Sequence, residues 1–116
     1  MREQIRDKGR LQHILNSIEK AAEFTTGTDF EEFRKSALLR YAVTKAVEIV
    51  GEASYRLTRE FREKHNEVEW HKIIAMRHIL VHGYYQAKDD VIWDTAINYL
   101  PPLKEKIQLL YDKEYD

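Results

Sequence analysis

The chain contains no cysteine, and that removes three chemistries at once. Disulfides, thiolate metal sites and a cysteine nucleophile are all excluded. This usage suits a reducing compartment, and the expected location is cytoplasmic. Glycine and proline are nearly as scarce, at four and two in 116 residues. With so few breaks and few alternating apolar–polar runs, the chain reads as all-α. No apolar run is long enough to span a bilayer, and Met1-Arg2-Glu3-Gln4 lacks the apolar segment of a secretory signal. Neither membrane insertion nor export is expected. An excess of one charge is also missing: the net charge is −1 although 34% of residues are charged. That is a mixed-sign surface, unlike the strongly basic one of a duplex-DNA binder. Contact with nucleic acid would have to be local, as in a nuclease cleft. There is no repeat and no low-complexity stretch. The length suits one domain, 1–116, burying roughly two-thirds of the surface its unfolded form exposes.

Helical periodicity is what the chain does have. Ile5, Leu11, Ile14, Leu15, Ile18, Ala21 and Ala22 recur at helical spacing and predict a helix over about Glu3 to Phe24. Thr25-Thr26-Gly27-Thr28 ends it. Asp29 is the expected N-cap of a short helix, Phe30 to Lys35, with Glu32 as its capping-box partner. A long helix follows, about Ser36 to Arg56. Leu38, Leu39, Ala42, Val43, Ala46, Val47, Ile49, Val50, Ala53 and Leu57 fill half its circumference, which predicts burial on two sides, as in a bundle. Its other stripe holds Tyr41, Thr44, Glu48, Gly51, Glu52 and Tyr55. A glycine inside a helix costs roughly 1 kcal/mol against alanine. Gly51 therefore reads equally as a tolerated residue or as the point where another backbone comes close. Thr58 is the expected cap of a short helix, Arg59 to Lys64, before a loop at His65-Asn66-Glu67. Another helix is predicted over about Glu69 to His82, and a last helical region from Asp89 or Asp90. In that region Val91, Ile92, Ala96, Ile97 and Leu100 form a core face that Leu103, Ile107, Leu110 and Tyr111 continue. Pro101-Pro102 should kink or restart it, and the tail from Asp112 to Asp116 should fray.

The segment from Ala75 to Tyr85 carries the chemistry, because it holds Arg77, His82 and Tyr84 in the order Arg-x4-His-x-Tyr. At about 100° per residue, Trp70, Ile73, Ile74, Met76, Leu80 and Val81 share one face, and Arg77 lies at its centre. A guanidinium there must be paired or must reach a cleft. Glu48 and Glu52 are candidate partners. Spacing weights a buried Arg–Glu pair and a phosphate-binding role equally. His71, His78 and His82 fall on the opposite, polar stripe, a spacing that could hold a metal but lacks an acidic partner of the H-E-x-x-H kind. Solvated surface histidines are the commoner explanation, and no metal or cofactor is expected. Arg77 and His82 are five residues apart, so on a regular helix they point about 140° away from each other. They converge within one chain only where the helix ends or distorts before His82. Gly83 suits such an end, with His82 as the cap, where the negative end of the helix dipole favours its protonated form.

These residues resemble a known family. The chain is similar to the HepT-like proteins of the HEPN superfamily, the toxin halves of toxin–antitoxin pairs, over nearly its whole length. Asp29-Phe30-Glu31-Glu32-Phe33 resembles the start of the family's second helix. Glu48 to Ala53 resembles its I-G-E-A segment, and Trp70 to Met76 its W-x-x-I-x-x-M lead-in. Arg77 to Tyr84 fits its R-x4-H-x-Y signature, while Trp93-Asp94-Thr95 and Leu100 to Leu103 resemble the last helix. His78 departs from the family, which often has Asn or Asp there. The loop from His65 to Glu69 lacks the prolines often found at that place.

The resemblance implies an all-α antiparallel helical bundle of four to five main helices, acting as a two-fold dimer. It implies a metal-independent endoribonuclease of a type VII-like toxin–antitoxin pair. Arg77 and His82 would be the catalytic pair and His78 a supporting polar residue. Its partners would be RNA, a second copy of the chain, and an MNT-type nucleotidyltransferase antitoxin that adds AMP to Tyr84. Two other readings stand beside it: a non-catalytic dimeric adaptor that docks the nucleotidyltransferase, and a histidine-stripe metal protein.

Overall fold

The computed structural model describes residues 2–82 and 89–115, with side chains from Arg6 to Leu80 and from Asp89 to Tyr115. The described residues form helices α1 (Arg2–Thr25), α2 (Phe30–Lys35), α3 (Ala37–Arg56), α4 (Arg59–Lys64), α5 (Trp70–His82), α6 (Asp89–Asp94) and α7 (Leu100–Tyr115). No strand occurs among them.

The helix boundaries follow from local chemistry. Gly27 takes φ 73°, the left-handed conformation that lets the chain turn off α1 without a side-chain clash. Asp29 accepts from the Glu32 amide, and the Glu32 carboxylate accepts from the Asp29 amide, so the expected capping box is complete. Ser36 and Thr58 cap α3 and α4 through their hydroxyls. Thr58 is also gripped from α1: its amide and hydroxyl donate to the two oxygens of Asp7 at 2.8 and 2.7 Å. Asp7 is 4% exposed, so this carboxylate is a buried acceptor that fixes where α4 begins.

α1 packs along α3 and α7, and α3 packs against α5. The core runs through all of them, from Leu11 and Ile14 of α1 and Val43, Val47 and Val50 of α3 to Ile73 of α5 and Leu103, Ile107 and Leu110 of α7. Burying this shared seam is the main favourable term, at about 25 cal/mol per Å² of apolar surface.

Three expectations need correction. The apolar arc of α3 is narrower than its composition suggests: Leu38 is 78% exposed and Ile49 also reaches solvent. Val91 and Ile97, expected on the core face of the last helical region, are exposed as well. The restart expected at Pro101-Pro102 is present. A single π-helical turn, Thr95–Tyr99, joins α6 to α7, and the Leu100 amide bonds the Thr95 carbonyl across it. The wider turn leaves both prolines in the first turn of α7, where their missing N–H groups have no helical partner to lose. The C-terminal tail does not fray from Asp112 but stays helical to Tyr115. Glu114 holds it by accepting from Lys64 at 3.0 Å and pairing with buried His65 at 3.2 Å, while the Tyr111 and Tyr115 rings lie 5.3 Å apart.

Candidate functional site

The site is built on the seam between α3 and α5. Gly51 faces Arg77 there so closely that a Cβ on Gly51 would lie 2.3 Å from the Arg77 Cβ and 3.1 Å from its Cα. Of the two readings of Gly51, the close approach is the one observed: only a residue without a side chain lets the two helix backbones meet at this point. At the next residue of α3, the Glu52 Oε2 accepts from the Arg77 Nε at 2.7 Å. The expected pairing with Glu52 is therefore formed, while Glu48 pairs with Lys45 instead, at 3.4 Å.

Glu52 serves two arginines. Its Oε1 accepts from the Arg56 Nε at 2.8 Å while its Oε2 accepts from Arg77. The Arg56 hydrogen bond, followed by the charge of Arg77, holds the Glu52 carboxyl below its ordinary value against the opposing effect of partial burial. A carboxylate so placed stays ionised at neutral pH and keeps Arg77 fixed. Tyr55 adds the remaining wall. The Arg77 guanidinium carbon lies 5.1 Å from the centre of its ring, within the range of a cation–π contact. Sequence reading placed Tyr55 on the same stripe as Glu52 but gave no sign of this stacking. The helical spacing of Tyr41, Glu48, Glu52 and Tyr55 on one stripe of α3 was the available signal.

Chemically, this leaves Arg77 half-anchored. Among the described residues its hydrogen bond is made through Nε alone, so the outer nitrogens of the fork are not consumed by Glu52. Its side chain is 22% exposed, which is neither core nor free surface. A guanidinium held by one edge and stacked on a ring can offer its other edge to an anion.

The other expected site residues sit differently. His78 is exposed and lines a groove between α4 and α5, as does His71. α5 remains α-helical through His82, so no break before that residue brings it round to Arg77. The two positions stay on different sides of the helix. The His82 side chain and the whole of Tyr84, with Gly83 and its proposed stop, lie outside the described residues. Among the described residues no three His, Asp or Glu side chains converge as a metal set would. No described helix is long and apolar enough to cross a membrane.

Comparison with known proteins agrees with the helical fold. Residues 14–110 match the family model "Ribonuclease HepT-like". The protein named "Putative RNase TTE0752" of Caldanaerobacter subterraneus subsp. tengcongensis is 38% identical over 104 residues, covering 90% of this chain and 93% of that protein. "Putative RNase MJ1380" of Methanocaldococcus jannaschii is 35% identical over 103 residues, covering 89% and 94%. "Probable ribonuclease HepT" of Thermococcus cleftensis is 36% identical over 103 residues, again covering 89% and 94%. No solved structure matches the chain at a significant level. A match that spans α1 to α7 and relatives aligned over nine-tenths of both chains lead to one conclusion: the chain belongs to the ribonuclease HepT-like family.

Proposed function

We propose that this protein is an endoribonuclease whose site forms at the cleft of a two-fold dimer, with Arg77 and His82 as catalytic residues and His78 in support. The observation that carries the reading is the state of Arg77: held by Glu52 through one nitrogen, stacked on Tyr55, and not fully withdrawn from solvent. Cleavage of RNA starts with attack of a ribose 2′-oxygen on the adjacent phosphorus. A base takes the 2′-hydroxyl proton, the P–O5′ bond breaks, and an acid protonates the departing 5′-oxygen. A 2′,3′-cyclic phosphate and a 5′-hydroxyl result. Histidine titrates in the range this exchange needs, and two copies of His82 would supply both roles. The outer nitrogens of Arg77 would meet the charge that builds on the non-bridging oxygens.

The dimer resolves the helix-wheel problem, because Arg77 of one chain need not meet His82 of the same chain. Support for the contact surface comes from α3. Leu38, Tyr41 and Tyr55 are 78%, 79% and 51% exposed and share one side of that helix with Glu52. Large exposed apolar groups in a row, beside the candidate catalytic arginine, fit an isologous interface.

In this reading the protein is the toxin of a type VII-like pair, acting in the cytoplasm. Its antitoxin is an MNT-type nucleotidyltransferase that adenylylates Tyr84. AMP two residues from His82 adds negative charge and bulk, which repels RNA phosphate and blocks entry. Induced expression should arrest growth, and Arg77→Ala or His82→Ala should relieve the arrest. Equal toxicity of those variants would refute the catalytic assignment.

One observation favours a second reading. The Arg77–Glu52 pair, backed by Gly51, also suits a purely structural tie in a non-catalytic adaptor that docks the nucleotidyltransferase. Purified protein that leaves RNA intact, with and without the nucleotidyltransferase, would select the adaptor.

A further inference from the structure

A second surface bears on the same chemistry. α4 and α5 enclose an open groove of about 1050 Å³. Arg59 and Arg62 of α4 form one wall, and His71, Ala75 and His78 of α5 form the other, over a floor that includes Ile74. Three features set it apart from ordinary solvated surface. Its formal charge is positive: Arg59 and Arg62 outnumber Glu63, the acidic residue that lines it, and Arg59 bonds Glu63 through Nε at 3.1 Å. Arg62 is half-buried at the groove's edge, and its Nε has no hydrogen-bond partner among the described residues, so that nitrogen is not spent on a neighbouring carboxylate. The α5 wall repeats at 71, 75 and 78, a helical stripe that position 82 continues.

We infer that this groove is the track for a single strand of RNA leading toward His82, a reading that rests on the ribonuclease assignment above. Arg59 and Arg62 take backbone phosphates. The imidazoles and apolar side chains of α5 supply the faces on which unpaired bases stack. The combination suits a flexible strand rather than a duplex, since apolar floor and imidazole are useful only to bases that are splayed out. A protein partner is the competing occupant. Two arginines against one carboxylate favour a polyanion over it.

Ala75 makes the test clean, because it is exposed in the middle of the groove and either charge can be placed there on a sound helical residue. The probe is a fluorescein-labelled single-stranded oligoribonucleotide with 2′-O-methyl groups, which binds but cannot be cut, read by fluorescence anisotropy on the full chain. Ala75→Lys should tighten binding and Ala75→Glu should weaken it, each by several-fold. Arg62→Gln should weaken it too and flatten the salt dependence by about 0.7 in the log–log slope, the value for one phosphate contact to a single strand. Thermal melts check that each variant is folded, and the Ala75 pair decides the matter even where Arg62→Gln is not.

Opposite shifts from Lys and Glu support the track, because a structural role has no reason to change sign with charge. Unchanged affinity in both overturns it. Unchanged RNA affinity together with lost capture of the nucleotidyltransferase also overturns it, and makes the groove a protein interface. Opposite shifts in a protein that cuts no RNA keep the track and refute the catalytic reading. Normal cleavage with no shift refutes the track alone.

Discussion

Replacing Gly51 and Gly9 by alanine should move stability in opposite directions, although both lie inside helices. Helix propensity alone favours each change by about 0.5–1 kcal/mol. At Gly9 in α1 nothing lies within 4 Å of the new Cβ, so that gain should appear undiminished. At Gly51 the new Cβ would sit 2.3 Å from the Arg77 Cβ and 3.1 Å from its Cα. Carbon atoms rest at about 3.5–4.0 Å, so the gap must open by about 1.2 Å. The obstructing atoms belong to the start of the side chain and to the backbone, so no rotamer change relieves them. α3 and α5 must part, and overpacking of this kind costs about 1–3 kcal/mol. The net result is a loss of up to about 2.5 kcal/mol for Gly51→Ala against a gain of up to about 1 for Gly9→Ala. A domain of this size shifts by roughly 4 °C per kcal/mol, so the two melting temperatures should differ by several degrees. Circular dichroism melts and urea titrations measure this directly. If Gly51→Ala melts at or above the parent temperature, the close approach of α3 and α5 at Arg77 is wrong, and so is the positioning of the site built on it.

Other perturbations follow from the same contacts. Glu52→Ala should release the Arg77 fork and lower RNA cleavage by roughly 10–100-fold, the scale of an ångström's misplacement; unchanged cleavage would mean that Glu52 positions nothing of consequence. Asp7→Ala should cost about 1–3 kcal/mol in urea unfolding, because it leaves the half-buried amide and hydroxyl of Thr58 without their acceptor at the start of α4. The Lys64 hydrogen bond holds the Glu114 carboxyl below its ordinary value of 4.5. Its stabilising effect is therefore complete above that value and fades as pH falls through the depressed one, so Glu114→Gln should shrink the loss of stability seen below pH 4.5. Burial, with the nearby charge of Asp7, pushes the Tyr115 phenol up from 10.0 to about 12. The stability it contributes is present below pH 10 and lost as pH rises toward 12. Its oxygen is buried without a partner, so Tyr115→Phe should cost little at pH 7 and should remove one late-titrating phenol from the ultraviolet titration.

Local rules made most of the fold legible. The capping box at Asp29, the hydroxyl cap at Thr58, and the helical periods of α1, α3 and α5 are all short-range signals, and the helices formed where those signals lay. What escaped depends on contacts far apart in the chain. Nothing near Asp112 announces that Glu114 reaches Lys64 and His65. Nothing near Leu38 says that no other part of the chain will cover it, because an apolar stripe shows which residues could be buried and not whether another helix arrives. The π-turn before Pro101-Pro102 is likewise a response of the whole helix to two rings. In the site, the charge of Arg77 on an apolar face and the oddity of Gly51 were both visible. Their joint cause, two backbones in contact with Glu52 bridging above, needed the three-dimensional pairing of α3 with α5.

The claim at the centre of this account is that Arg77 and His82 cut RNA. The most direct measurement is cleavage of a single-stranded RNA by purified protein, by Arg77→Ala and by His82→Ala. Melting temperature and sedimentation of all three are recorded alongside. The parent should cut and leave 2′,3′-cyclic phosphate ends. Each variant should cut at least about 100-fold more slowly, the usual scale for losing an acid–base group or a charge-stabilising donor, while remaining folded and the same size. Parent protein that leaves RNA intact, or variants that cut as fast as the parent, would contradict it.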